Sequence, residues 1–136
     1  MNPVLRNILA AGSGIIIGSA VNMGIIMLSN SVIPPPAGVD VSNMESLKAS
    51  MHLFEPRHFV MPFLAHAMGT LSGAIAATLI AVNRKMLFAL GIGVFFLIGG
   101  ITNVLMLPSP IWFTFIDLAF AYIPMGWLGW KLASGK

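Results

Sequence analysis

The chain has 136 residues, of which 57% are hydrophobic and 8% charged, with a mean hydropathy of +0.92. Water-facing domains carry about a quarter charged residues, so an ordinary soluble surface is excluded. The formal charge of +3 rests on a few Lys and Arg at the ends of apolar stretches, a topology signal and not a nucleic-acid-binding face; the absence of cysteine removes disulfides, thiolate nucleophiles and Cys-held metal or cofactor sites.

The first apolar stretch covers about residues 5–29, interrupted only by small residues and Asn22. Arg6 ahead of an apolar run also fits a secretory signal. The run is too long for a signal's core and lacks an A-x-A site, so it is read as a retained span. Residues 30–57 form the one long polar stretch. Pro34-Pro35-Pro36 stiffens its start toward extended polyproline geometry. Ser42-Asn43-Met44-Glu45 then matches the S-x-x-E capping box, and Met44, Leu47, Met51 and Phe54 recur at helical spacing. A short amphipathic helix over about 42–54 is expected, lying on the outer membrane surface or capping the bundle. Glu55-Pro56 ends it, because a residue before proline avoids the α region.

The second span covers about residues 58–82, and Asn83-Arg84-Lys85 turns tightly into a third over about 86–107. Pro108-Ser109-Pro110 stops that one. The fourth covers about 111–132 and holds Pro124, whose missing backbone N–H predicts a kink. With ~20 residues needed per crossing, the expected fold is all-α: an integral membrane bundle of four transmembrane helices in a single domain over 1–136. The lipid bilayer is then the first partner. Arg6, Arg84, Lys85, Lys131 and Lys136 fall at one end of the spans, Lys48 and Arg57 at the other. That bias predicts an inner-membrane, multi-pass protein with both termini cytoplasmic. Trp112 near one face, with Trp127 and Trp130 near the other, suits the aromatic belts.

Lipid gives helices no hydrophobic reason to associate, so small residues that admit close backbone approach mark packed faces. Gly14 and Gly18 form one such stripe, Gly69 and Gly73 a second. They predict contacts inside the bundle or, alternatively, a dimer seam. The intramembrane polar residues are Asn22, His66, Asn103 and Asp117, one per span. Counted from the span ends at 1.5 Å per residue, all four sit roughly 6–10 Å below the outer interface. Gly18-x-x-x-Asn22 and Gly99-x-x-x-Asn103 match, and the second and fourth spans each carry one ionisable residue. The spans therefore resemble two tandem hairpins related by a pseudo-two-fold axis.

An ionisable group inside the membrane calls for a partner or a watery cavity. Asp117 and His66 are expected either to lock the helices as a pair or to relay protons or cations, with the asparagines holding water. Glu55, Arg57 and His58 are placed at the outer mouth. No metal site is expected: His52 and His58 flank Glu55, but no pair of histidines has the H-E-x-x-H spacing. No catalytic residue is assigned. Ser72 and Ser109 lie in no G-x-S-x-G turn, and Gly91-x-Gly93 sits inside an apolar helix, where it cannot be a nucleotide loop. The ten Met residues are read as adaptable filler. The leading functional expectation is a structural or accessory membrane protein, binding other transmembrane helices (its own copies or a larger complex) or lipid, without a cofactor. The alternative is a small proton- or cation-linked transporter or channel using Asp117 and His66. An intramembrane enzyme ranks last.

Overall fold

A computed structural model of the chain describes residues 1–135; Lys136, one of the basic residues that set the orientation, lies outside them. The described residues are helical with no strand. Helix α1 is Pro3–Val32, α2 is Met44–Ser50, α3 is Val60–Ile80, α4 is Lys85–Met106, α5 is Ile111–Phe120 and α6 is Ile123–Ser134. Short 3-10 turns at Met51–Leu53 and Pro56–Phe59 join α2 to α3. Four helical segments are long and apolar enough to cross a membrane: Pro3–Val32, Pro56–Ile80, Lys85–Met106 and Ile111–Ser134.

Helix α3 is the hub, in contact with α1, α4 and α6. Against α1 it packs backbone on backbone. A Cβ built on Gly14 would lie 2.8 Å from the Gly73 carbonyl oxygen, and one on Gly73 would lie 2.5 Å from that of Gly14. One turn along, Gly18 and Gly69 repeat the arrangement at 2.7 and 2.9 Å. Only glycine allows this approach, because any side chain would meet a carbonyl that cannot move aside. Both small-residue stripes are thus consumed within the chain. The α4–α6 contact uses the same device with residues outside those stripes: a Cβ on Gly126 would sit 2.9 Å from Ala89 O, and one on Gly93 3.1 Å from Tyr122 O.

Two sequence expectations change here. The fourth span is broken outright and not merely kinked: α5 stops at Phe120, α6 starts at Ile123, and Tyr122 between them takes φ −120° and ψ −80°. Pro124 in the first turn of α6 has no N–H to donate to the carbonyl four residues back, and its ring crowds that carbonyl. The helix therefore restarts. The cap of α2 also differs. Asn43, an equally good N-cap, accepts from the amides of Glu45 and Ser46 at 2.9 and 3.2 Å. Ser42 instead gives its hydroxyl and its amide to Asp40, and these two bonds hold the Asp40 carboxyl below the usual carboxylate range.

The hairpin repeat does not extend to the contacts. Gly18 is jammed against α3, whereas nothing lies within 4 Å of a Cβ on its counterpart Gly99. At the terminal end, polar groups fasten α1 to the α3–α4 turn. Arg6 Nε donates to Ile80 O at 2.7 Å, Asn7 Oδ1 accepts from Val82 N at 2.9 Å, and Lys85 Nζ donates to Thr78 O at 3.0 Å. Two cations thus meet the last carbonyls of α3, where the helix dipole is negative.

Gly73→Ala should cost about 1–3 kcal/mol by overpacking, lowering the detergent thermal midpoint. Gly12→Ala, which meets nothing within 4 Å, should leave that midpoint unchanged or slightly raised. Equal midpoints for the two variants would contradict the α1–α3 contact.

Candidate functional site

Asp117 is 3% exposed on α5, one turn before the break. A carboxyl group in such a place must have its oxygens met. His66 Nδ1 lies 2.7 Å from Oδ1, and the Tyr122 hydroxyl donates to Oδ2 at 3.1 Å. Each partner is held in turn. The His66 ring lies over that of Tyr122, centroids 5.9 Å apart and 25° between planes, and Thr70 donates its hydroxyl to the His66 carbonyl at 2.9 Å. The phenol ring fits against Gly100, where a Cβ would fall 2.6 Å from its oxygen. An imidazole in its neutral form with Nδ1 turned to a carboxylate carries its proton there and leaves Nε2 as an acceptor. Nε2 makes no hydrogen bond among the described residues.

A cavity of about 520 Å³ extends from this group to the loop helix. Asn22 and Gly69 lie at its floor, Phe59, Phe96 and Phe113 along its walls, and Met44, Leu47, Met51 and Phe54 at its roof. These last four are the apolar residues whose spacing predicts the amphipathic helix. His66 and Tyr122 reach the cavity, while Asp117 stays behind them. Among the described residues, no Asp, Glu, Lys or Arg lines it. Below the floor, the Phe96 ring sits against Gly18 and the Ile92 side chain against Gly14 and Gly73. Beyond them a second, apolar crevice of about 360 Å³ separates α1 from α4.

No protein-family model matches this chain, and no curated protein and no solved structure matches it either. The site therefore has to be read from its own residues.

The four polar residues of the sequence layer meet around this cavity, though not as one ring. His66 and Asp117 bond directly. Asn22 lies beside Gly69, a turn further from the loop end than His66. Asn103 is on the cavity wall, a turn nearer the loop end than Gly100. Of the residues placed at the mouth, Arg57 Nε pairs with Glu55 Oε2 at 2.9 Å with both side chains about two-thirds exposed (68% and 63%), so their charges remain in water. Only His58 turns inward. It is 8% exposed, and its Nδ1 accepts the Glu55 amide at 2.8 Å. His52, His58 and His66 converge with no carboxylates into a group of three or more ligands among the described residues.

Sequence reasoning missed Tyr122 and the aromatic wall. Tyr122 is the only tyrosine of the chain, and a phenol inside an apolar span needs a partner; that was the available signal. Phe59, packed on Phe113 with centroids 4.7 Å apart and on Trp112 at 5.6 Å, had no such signal.

Gly100→Ala should push the phenol off Asp117, losing a bond of roughly 0.6 kcal/mol in a membrane interior plus an overpacking cost of about 1–3 kcal/mol. Gly99→Ala should be tolerated. The check is the Tyr ring environment by near-ultraviolet circular dichroism together with the thermal midpoint. The hairpin repeat of the sequence predicts the opposite order.

Proposed function

We propose that this protein is a small membrane carrier that takes its cargo from the loop side and exchanges a proton with that side through His66 and Asp117. The observation that carries this reading is the position of the carboxyl: Asp117 is withdrawn from the cavity, yet its partner His66 lines the cavity wall. A proton arriving at His66 Nε2 converts a neutral imidazole beside a carboxylate into an imidazolium–carboxylate pair. Release of the Nδ1 proton to Oδ1 leaves both groups neutral. The site changes its net charge by one without exposing Asp117 to lipid.

Two further features support the reading. The carboxyl sits beside a discontinuous helix, the arrangement by which membrane transporters place their binding groups at mid-depth. The route is closed toward the terminal end by Ile92 and Phe96 over the glycine contact, which suits a carrier with one gate shut better than an open channel. The Lys and Arg bias supports cytoplasmic termini and hence an outward-facing cavity in the inner membrane.

An accessory role, first in order on the sequence, keeps the short loops and the lack of a soluble domain as its support, while the glycine stripes lie inside the chain. What also favours it is the apolar crevice between α1 and α4, lined by Ala11, Ile15, Leu87, Phe88 and Gly91, where a partner helix would seat.

The test is proton flux in proteoliposomes under an imposed pH gradient, followed with an entrapped pH dye. Unmodified protein should dissipate the gradient faster than empty vesicles. Asp117→Asn and His66→Ala should return it to the empty-vesicle rate, with the monodisperse elution profile retained. Flux that survives both substitutions would sink the proposal.

A further inference from the structure

Two residues that line the cavity each carry a buried polar atom that no group among the described residues satisfies. Asn22 Oδ1 and His58 Nε2 are both buried without a hydrogen-bond partner, and both residues line the cavity. Buried polar groups are otherwise almost always met, and leaving one unmet costs about 1–3 kcal/mol. The chemistry of each atom is defined. His58 Nδ1 accepts the Glu55 amide, which places the ring proton on Nε2 and makes it a donor. Asn22 makes no side-chain hydrogen bond among the described residues, and its buried oxygen is an acceptor.

Their positions differ as much as their roles. Asn22 packs beside Gly69 at the cavity floor, and His58 lies eleven residues earlier, at the start of the same span. At 1.5 Å per residue, the two levels are roughly 16 Å apart along the helix axis. Between them the wall is mostly apolar and aromatic, with Phe59, Pro62, Phe96 and Phe113 under Met51 and Phe54, and it is interrupted by His66, Tyr122 and Asn103. Among the described residues, no Asp, Glu, Lys or Arg lines this length.

We infer that the cavity binds an uncharged, elongated molecule with an apolar middle and a hydrogen-bonding group at each end, a donor facing Asn22 and an acceptor facing His58. A hydroxyl or primary amide meets either requirement. Ions are disfavoured because, among the described residues, no Asp, Glu, Lys or Arg lines the cavity and the Asp117 charge is already met by His66 and Tyr122. The flexible Met44 and Met51 at the roof adapt to differences in chain length. The inference rests on the cavity being the cargo site, as proposed above, but not on the proton step.

The experiment is equilibrium binding to the full chain in phosphatidylcholine nanodiscs, using tritiated dodecanediol with a hydroxyl at each end, tritiated dodecanol with one, and the matching dicarboxylate. One net hydrogen bond is worth roughly three- to tenfold in affinity, so the diol should bind tighter than the alcohol by that factor after correction for partition into empty discs. The dicarboxylate should show no saturable binding. Asn22→Leu and His58→Phe should each bring the diol down to the affinity of the alcohol. If His58→Phe does not fold, the comparison of ligands on unmodified protein and on Asn22→Leu decides alone. Equal affinity for diol and alcohol would mean that water meets these atoms, and it would overturn the inference. Diol binding that persists in Asp117→Asn protein while flux is unaffected by that change would refute the proton step and leave the ligand class standing. Intact, Asp117-dependent flux with no saturable diol binding would do the reverse.

Discussion

The fold hangs on the approach of α1 to α3. Gly14 against Gly73 and Gly18 against Gly69 bring the two backbones within reach of each other's carbonyls, a separation that no larger side chain permits. In a bilayer, where apolar surface gains nothing by leaving lipid, such close contact is the main source of helix affinity. It also decides what lies above it. One turn beyond Gly18 the chain presents Asn22, and one turn beyond Gly69 toward the loop it presents His66. The glycine contact is therefore the floor on which the polar cavity stands, and Ile92 and Phe96 from α4 complete that floor.

A second constraint acts from the other side of the cavity. Asp117 tolerates burial because His66 and Tyr122 take its two oxygens. Tyr122 reaches it only because the fourth span breaks at the residue that carries the phenol. An unbroken helix would place residues five apart on different faces. The break forced by Pro124 thus has a chemical consequence, completing the carboxyl's hydrogen bonding. Gly100 provides the space for the ring, and so α4 is tied to the same arrangement.

Between floor and carboxyl lies a mostly apolar space, and two of the residues lining it, Asn22 and His58, carry a buried polar atom with no partner among the described residues. The loop segment closes it from above: α2 and the following turn put Met44, Leu47, Met51 and Phe54 over the opening, while Glu55 and Arg57 remain in water. The Phe54–His58 contact, centroids 5.4 Å apart, joins roof and wall.

Much of this was legible in the residues. The four long apolar segments follow from hydropathy and length alone, because a spanning helix needs a fixed run of apolar residues whatever its neighbours are. The apolar face of the loop helix followed from its spacing, and the partnership of Asp117 with His66 followed from the cost of an unpaired charge in lipid. Other features depended on distance in space, which residue order does not encode. That Gly18 is packed while Gly99 is open, that Tyr122 turns to Asp117, and that Asn22 and His58 remain unmatched across one cavity were decided only when the helices were assembled. A sequence specifies which groups need partners; the tertiary structure determines which of them find one.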